Sequence, residues 1–201
     1  ISTSIDESSL YIVDIPHVPI RIHRYDINED GMSTPLPEIK SKAISTEGSI
    51  DFLHDLKYIS GFGVVVAFDG ADPVDGVEVN HASVYDIDEL IHISNLDVGS
   101  VPLAVAYDAV GRHIYISPTD VDDNGMFIIE YNVQDQLQTN YYQVAGLLGS
   151  HALVIDFNGQ YLYAAVDDLS DQDTHEPYNG SSFNIQRIKI LPEGSFPIND
   201  F

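Results

Sequence analysis

The chain has 201 residues, eight of them basic and 32 acidic, for a formal net charge of −24 at pH 7. Such a surplus repels nucleic-acid phosphates and anionic membrane surfaces, so no nucleic-acid partner is expected, while divalent metals and cationic ligands remain compatible. With 44% hydrophobic residues and no cysteine, the chain is not a disordered acidic tail, has no disulfide framework or thiol chemistry, and offers no apolar run long enough for membrane insertion as a helix.

Taken in chain order, period-two alternation punctuated by turn residues predicts strands throughout and no convincing helix. Strands are expected near 1–5, 9–14, 19–27 and 38–45, then near 51–58, 62–68, 81–87 and 90–96. They continue near 102–107, 112–117, 126–133 and 139–145, and finally near 151–155, 160–166, 183–190 and 195–201. Ser83 to Leu96 comes closest to a helical pattern, but its β-branched content and Tyr-Asp-Ile centre favour strands.

This order contains one pattern written four times. Its clearest copies are Asp108-Ala-Val-Gly111-Arg-His-Ile-Tyr115-Ile and Asp156-Phe-Asn-Gly159-Gln-Tyr-Leu-Tyr163-Ala, each a turn leading into an apolar strand. Tyr11, Val65, Tyr115 and Tyr163 mark the second strand of each copy. Tyr25-Asp26-Ile27, Tyr85-Asp86-Ile87, Tyr131-Asn132-Val133 and Ile188-Lys189-Ile190 mark the third. Both landmarks recur about every 50 residues in the same order. A lone four-stranded meander cannot bury both faces, so the copies must stack, and radial stacking of antiparallel sheets makes an all-β fold of the β-propeller class. The expected organisation is a single propeller domain or segment over 1–201, with blades at about 1–48, 49–99, 100–149 and 150–201.

These motifs resemble the YVTN-type or lactonase-like β-propeller repeats, in which an apolar strand, a Pro-Asp-Gly-type turn, a Leu-Tyr-Val strand and a Val-Tyr-Asp-type strand follow one another. Asp108 to Ile116, Asp156 to Ala164 and the Tyr-Asp-Ile copies carry the match. The resemblance implies the fold more than an activity, since such propellers serve as hydrolases, isomerases, binding modules and surface-layer proteins. The chain starts in a first strand and stops in a fourth, leaving no clasp, so the expectation is either a closed four-bladed ring without strand exchange or part of a larger propeller. The absent initiator Met points to a processed or excised chain.

The strongest chemical signal is Asp120-Val-Asp122-Asp-Asn124-Gly125, whose alternating oxygen ligands before a Gly match the spacing of calcium loops. Asp26-Ile-Asn28-Glu-Asp30-Gly31 repeats it. Neither has the twelfth-position Glu of an EF-hand, and Asp, Asn and Gly also suit plain hairpin loops. Calcium held by Asp120, Asp122 and Asn124, and by Asp26, Asn28 and Asp30, is therefore an expectation alongside simple turns. The acidic loops Asp69 to Glu78 and Asp167 to Glu176 occupy the same repeat position as 120–125.

Nothing in the sequence assigns catalytic residues. Gly149-Ser-His151 sets a Ser beside a His without a Gly-x-Ser-x-Gly elbow. His54, Asp55 and His151 lie in innermost strands, where an enzyme of the lactonase-like group acting on a small sugar lactone or ester would gather its polar groups. Repeat-equivalent tyrosines read as blade packing, and Tyr141-Tyr142 as an exposed contact. The resulting expectation is a non-enzymatic interaction or assembly module with a protein partner or self-assembly. The acidic load, best tolerated where salt screens it, points to an extracellular, cell-surface or periplasmic setting, between which the absence of Cys is neutral; the lactonase-like hydrolase is the alternative function.

Overall fold

A computed structural model describes residues 2–3, 9–14, 21–26, 38–43, 50–70, 81–118, 121–122, 125–144, 150, 152–168 and 182–190. Two compact units make up the chain, Ile1–Asp97 and Val98–Phe201, and every regular element among the described residues is a β-strand.

Unit 1 holds two four-stranded antiparallel meanders. The first runs β1 (Ser2–Thr3), β2 (Ser9–Asp14), β3 (Arg21–Asp26) and β4 (Glu38–Ala43). The second runs β5 (Ile50–Ile59), β6 (Gly63–Gly70), β7 (His81–Tyr85) and β8 (His92–Asp97). Val64, Val65, Val66 and Ala67 in β6 are all fully buried, as a strand covered on both faces requires. Tyr11 and Ile22 of the first sheet pack on Leu56, Val64 and Val66 of the second. The Tyr11 ring stacks on Tyr58 with centroids 5.5 Å apart. Each such buried side chain stabilises by roughly 1.5–3 kcal/mol.

Unit 2 begins with β9 (Pro102–Asp108), β10 (His113–Pro118), β11 (Val121–Asp122), β12 (Gly125–Asn132) and β13 (Gln138–Val144). β14 (Ala152–Ile155), β15 (Tyr161–Asp168) and β16 (Ser182–Lys189) form its second sheet. Tyr115, Ile128 and Tyr142 from the larger sheet meet Leu153, Leu162 and Ala164 from the smaller.

Fifteen of these strands fall where alternation placed them. The exception is β11, a two-residue strand pairing Val121 with Met126 and Asp122 with Gly125, where only a loop was expected. The last expected strand, 195–201, lies outside the described residues. The strand expected at 90–96 starts instead at His92, because Leu90 takes a left-handed backbone with φ 53. That turn is closed by Asp86, whose Oδ1 accepts from the N–H groups of Asp88 and Glu89. Asn132 builds the same turn in the third sheet, accepting from Gln134 N–H, with Gln136 at φ 58. The Asp or Asn of the recurrent Tyr-Asx pair is thus a turn cap.

The pairing of third and fourth strands slips once in each of the first three sheets, at Arg24/Tyr25, Val84/Tyr85 and Glu130/Tyr131. In each case the fourth strand carries one surplus residue, Ile39, Ile93 or Thr139. A bulge recurring at one place is a feature of the repeat rather than a local defect.

Candidate functional site

Glu130 is the only charged residue of β12, and its pairing makes it a cross-strand neighbour of Tyr115 on one side and Asn140 on the other. All three lie on the face that packs against the last sheet, and Glu130 is 0% exposed. Burying a carboxylate is costly unless donors surround it. Here Thr139 Oγ1 donates to Oε1 at 3.0 Å, Asn140 Nδ2 to Oε2 at 3.2 Å, and the Tyr142 hydroxyl also to Oε2. His113 Nε2 stands 3.5 Å from Oε1, at the outer edge of hydrogen-bonding reach.

Tyr115 beside this carboxylate has a buried hydroxyl with no hydrogen-bond partner. Burial pushes that hydroxyl far above the ordinary tyrosine range, and the charge of Glu130 adds to the effect, followed by Tyr142 and Asp108. In unit 1, burial raises Tyr85 to about 12, opposed by its hydrogen bond with Ser83. Both phenols are therefore neutral packing elements at physiological pH.

Asp108 is the second carboxylate buried among the described residues, at 5% exposure. Its Oδ1 accepts from Val110 N–H at 2.8 Å and its Oδ2 from Gly111 N–H at 2.9 Å, closing the Asp-x-x-Gly turn between β9 and β10. The equivalent Asp156 accepts from Gln160 and Tyr161 N–H through Oδ1. The turn of one sheet abuts that of the next, with the Asp108 carboxylate lying against Gly159. Ser150, the serine of the Gly-Ser-His triplet, is fully buried. Its N–H donates to Ser117 Oγ, and its hydroxyl lies 2.8 Å from the carbonyls of Ala152 and Ala165. It ties strands together in a way adjacency to His151 did not disclose.

In unit 1 the corresponding contact between sheets is ionic. Arg24 donates to the Ile87 carbonyl at 3.1 Å and to Asp88 Oδ1 at 2.9 Å.

Of the residues expected to hold calcium, Asp120, Asn124, Asn28 and Asp30 lie outside the described residues. Asp122 ends β11 opposite Gly125, and Asp26 ends β3 opposite Ser9. No group of three or more metal-ligating side chains forms among the described residues. Asp55 accepts from Leu56 N–H at 2.8 Å, while His151 lies outside the described set. The expectation that Tyr141 and Tyr142 are both exposed holds for half of the pair: Tyr141 is 51% exposed and Tyr142 3%. Glu130 falls within the strand expected near 126–133, but the sequence reading gave it no role, because its partners lie on two other strands.

No family model matches the sequence, and no curated protein matches it. Solved structures do. Hydrazine synthase from Kuenenia stuttgartiensis is similar over 94% of this chain and 44% of its own, with TM-score 0.64 and 14% identity. A chain of a mitotic checkpoint complex is similar over 96% of this chain and 51% of its own, with TM-score 0.57 and 13% identity. This chain spans about half the length of each. Similarity at such identities shows the fold alone, and that fold is of the β-propeller kind: antiparallel sheets of three to five described strands, packed against one another within each unit.

Proposed function

We propose that this chain is a non-enzymatic interaction and assembly module of propeller blades, related to the YVTN-type or lactonase-like repeats it resembles. Its four blades form either a closed ring or part of a larger one. The reading is supported by one observation above all. Large apolar side chains stand exposed on its strands and turns, Val154 at 62%, Ile185 at 76% and Phe157 at 91%, whereas the buried carboxylates Asp108 and Glu130 are engaged in holding turns and strands together. Exposed apolar surface on a folded sheet is the signature of a contact face. An extracellular or cell-surface setting accords with the −24 charge, which salt would screen.

Calcium in the acidic loops at 120–124 and 26–30 belongs to the same proposal, since their oxygen-rich spacing suits a hard cation. Calorimetric titration with calcium chloride, and melting with and without chelator, test it. Saturating calcium at about 100 times the dissociation constant should add about 2.7 kcal/mol of stability. No binding heat and an unchanged melting temperature would remove calcium from the proposal. Hydrolysis of a lactone or ester panel above the uncatalysed rate would replace the module reading with the hydrolase one.

A further inference from the structure

We infer that Asn158 is a modification site, where the side-chain amide converts to aspartate or isoaspartate when the β14–β15 turn opens, and that the product loosens the junction between the two sheets of unit 2.

Asn-Gly steps are especially prone to this chemistry, because a glycine has no side chain to hinder the attack of its nitrogen on the asparagine before it. The chain has three, at 124–125, 158–159 and 179–180, and the middle one alone lies wholly among the described residues. Asn158 is exposed there, and the reaction needs only water. The Gly159 nitrogen gives up its proton and attacks Asn158 Cγ, the side-chain nitrogen leaves as ammonia, and a cyclic imide forms. One water then opens the imide at either carbonyl. Opening at the side-chain carbonyl gives aspartate. Opening at the main-chain carbonyl gives isoaspartate, whose main chain runs through Cγ and carries one extra carbon before Gly159.

The fold restrains the first step. Gly159 N–H donates to the Asp156 carbonyl at 2.9 Å, closing a β-turn, so the proton that must leave is engaged. The turn is itself pinned, since Asp156 Oδ1 accepts from Gln160 N–H at 2.7 Å and from Tyr161 N–H at 2.8 Å. Negative charge builds on the nitrogen as its proton departs, and the Asp108 carboxylate, lying against Gly159 from the neighbouring sheet, opposes it. Conversion is thereby coupled to local opening of the turn. The same contact gives the product its effect. A carboxylate at position 158 adds negative charge beside Asp156 and Asp108. The extra carbon of isoaspartate shifts Gly159 against Asp108, where not even a β-carbon has room.

Peptide mapping by mass spectrometry after ageing the 201-residue chain in mildly alkaline buffer tests the inference, with circular dichroism following the fold. In urea the amide-to-acid mass shift at Asn158 should appear quickly. In native buffer it should be slower by about tenfold or more, at a rate set by opening of the turn. Asp156→Ala removes the acceptor for Gln160 and Tyr161 but leaves Asn158-Gly159 intact, and should bring the folded chain most of the way to the urea rate. Should that variant not fold, hydrogen exchange at Gly159 N–H in the unsubstituted chain reads the same restraint and should show protection. The isoaspartyl form, isolated by its added charge and its chromatographic mobility, should unfold at a lower urea midpoint than the parent chain. Equal rates at Asn158 with and without urea overturn the gating, as does a folded Asp156→Ala chain that keeps the slow rate or an unprotected Gly159 amide. Asn158 that stays intact in native buffer, long after conversion in urea is complete, overturns the site in the folded chain. An isoaspartyl chain with the parent's urea midpoint overturns the loosening of the junction.

Discussion

The carboxylate of Asp108 lies so close to Gly159 that a β-carbon there would stand 2.8 and 2.9 Å from its two oxygens. Gly159 also has a left-handed backbone, with φ 66. Gly159→Ala therefore meets two penalties, the left-handed cost of about 1–2 kcal/mol and overpacking of about 1–3 kcal/mol. A loss of about 2–5 kcal/mol is expected from the urea midpoint. Adding Asp108→Ala should recover part of the second penalty, giving a coupling energy of about 0.5 kcal/mol or more in a double-mutant cycle. Strict additivity would show that the two turns do not touch.

Glu130 predicts an asymmetry between removing a charge and removing an acceptor. Glu130→Ala strands the donors of Thr139, Asn140 and Tyr142 in a buried site and should cost about 3 kcal/mol or more. Glu130→Gln keeps the shape and one acceptor oxygen and should cost less. Tyr142→Phe, which removes one bond to a charged group, should lose about 1.5–3 kcal/mol with little change in volume. Chemical denaturation of the three variants reads the order directly.

Alkaline pH should unfold the chain in a specific window. Tyr85 is raised from 10.0 to about 12, and Tyr115 shifts in the same direction. A tyrosine whose folded value exceeds its unfolded one contributes its stability in full below the unfolded value and loses it as pH rises through the folded one. Melting temperature should therefore fall as pH rises from 10 toward 12. Phenolate absorbance should show some of the 12 tyrosines ionising together with unfolding. Tyr85→Phe should reduce the slope.

The Arg24–Asp88 link, by contrast, should matter little to stability. Asp88 is 71% exposed, and surface pairs contribute about 0–1 kcal/mol. Arg24→Gln is expected to shift the denaturation midpoint slightly, and less at high salt. A loss comparable to that of Glu130→Ala would show that the link between these sheets is mainly ionic.

What the sequence disclosed and what it hid follow from the range of the interactions. The Asp-x-x-Gly turns and the Tyr-Asx caps are local, made within a few residues, and their recurrence was legible. The face toward which each recurring tyrosine points depends on which sheet follows, and burial of Tyr11 and Tyr115 agrees with simple alternation. Tyr142 escaped that reading because the extra residue at Thr139 shifts the phase of β13 relative to its turn. Glu130 escaped because its donors lie on another strand. The calcium spacing at 120–124 remains a matter of local pattern, with Asp122 now known to pair with Gly125.

The surplus residues Ile39, Ile93 and Thr139 have a consequence for how the repeat tolerates change. Because each is unpaired in its ladder, losing it leaves every remaining cross-strand pair in register and every side chain on its own face, and relaxes only the local twist. Within a regularly paired stretch, a one-residue deletion turns the rest of a strand inside out. In the first three sheets the outer strand thus has a place where its length can drift while the paired residues keep their faces.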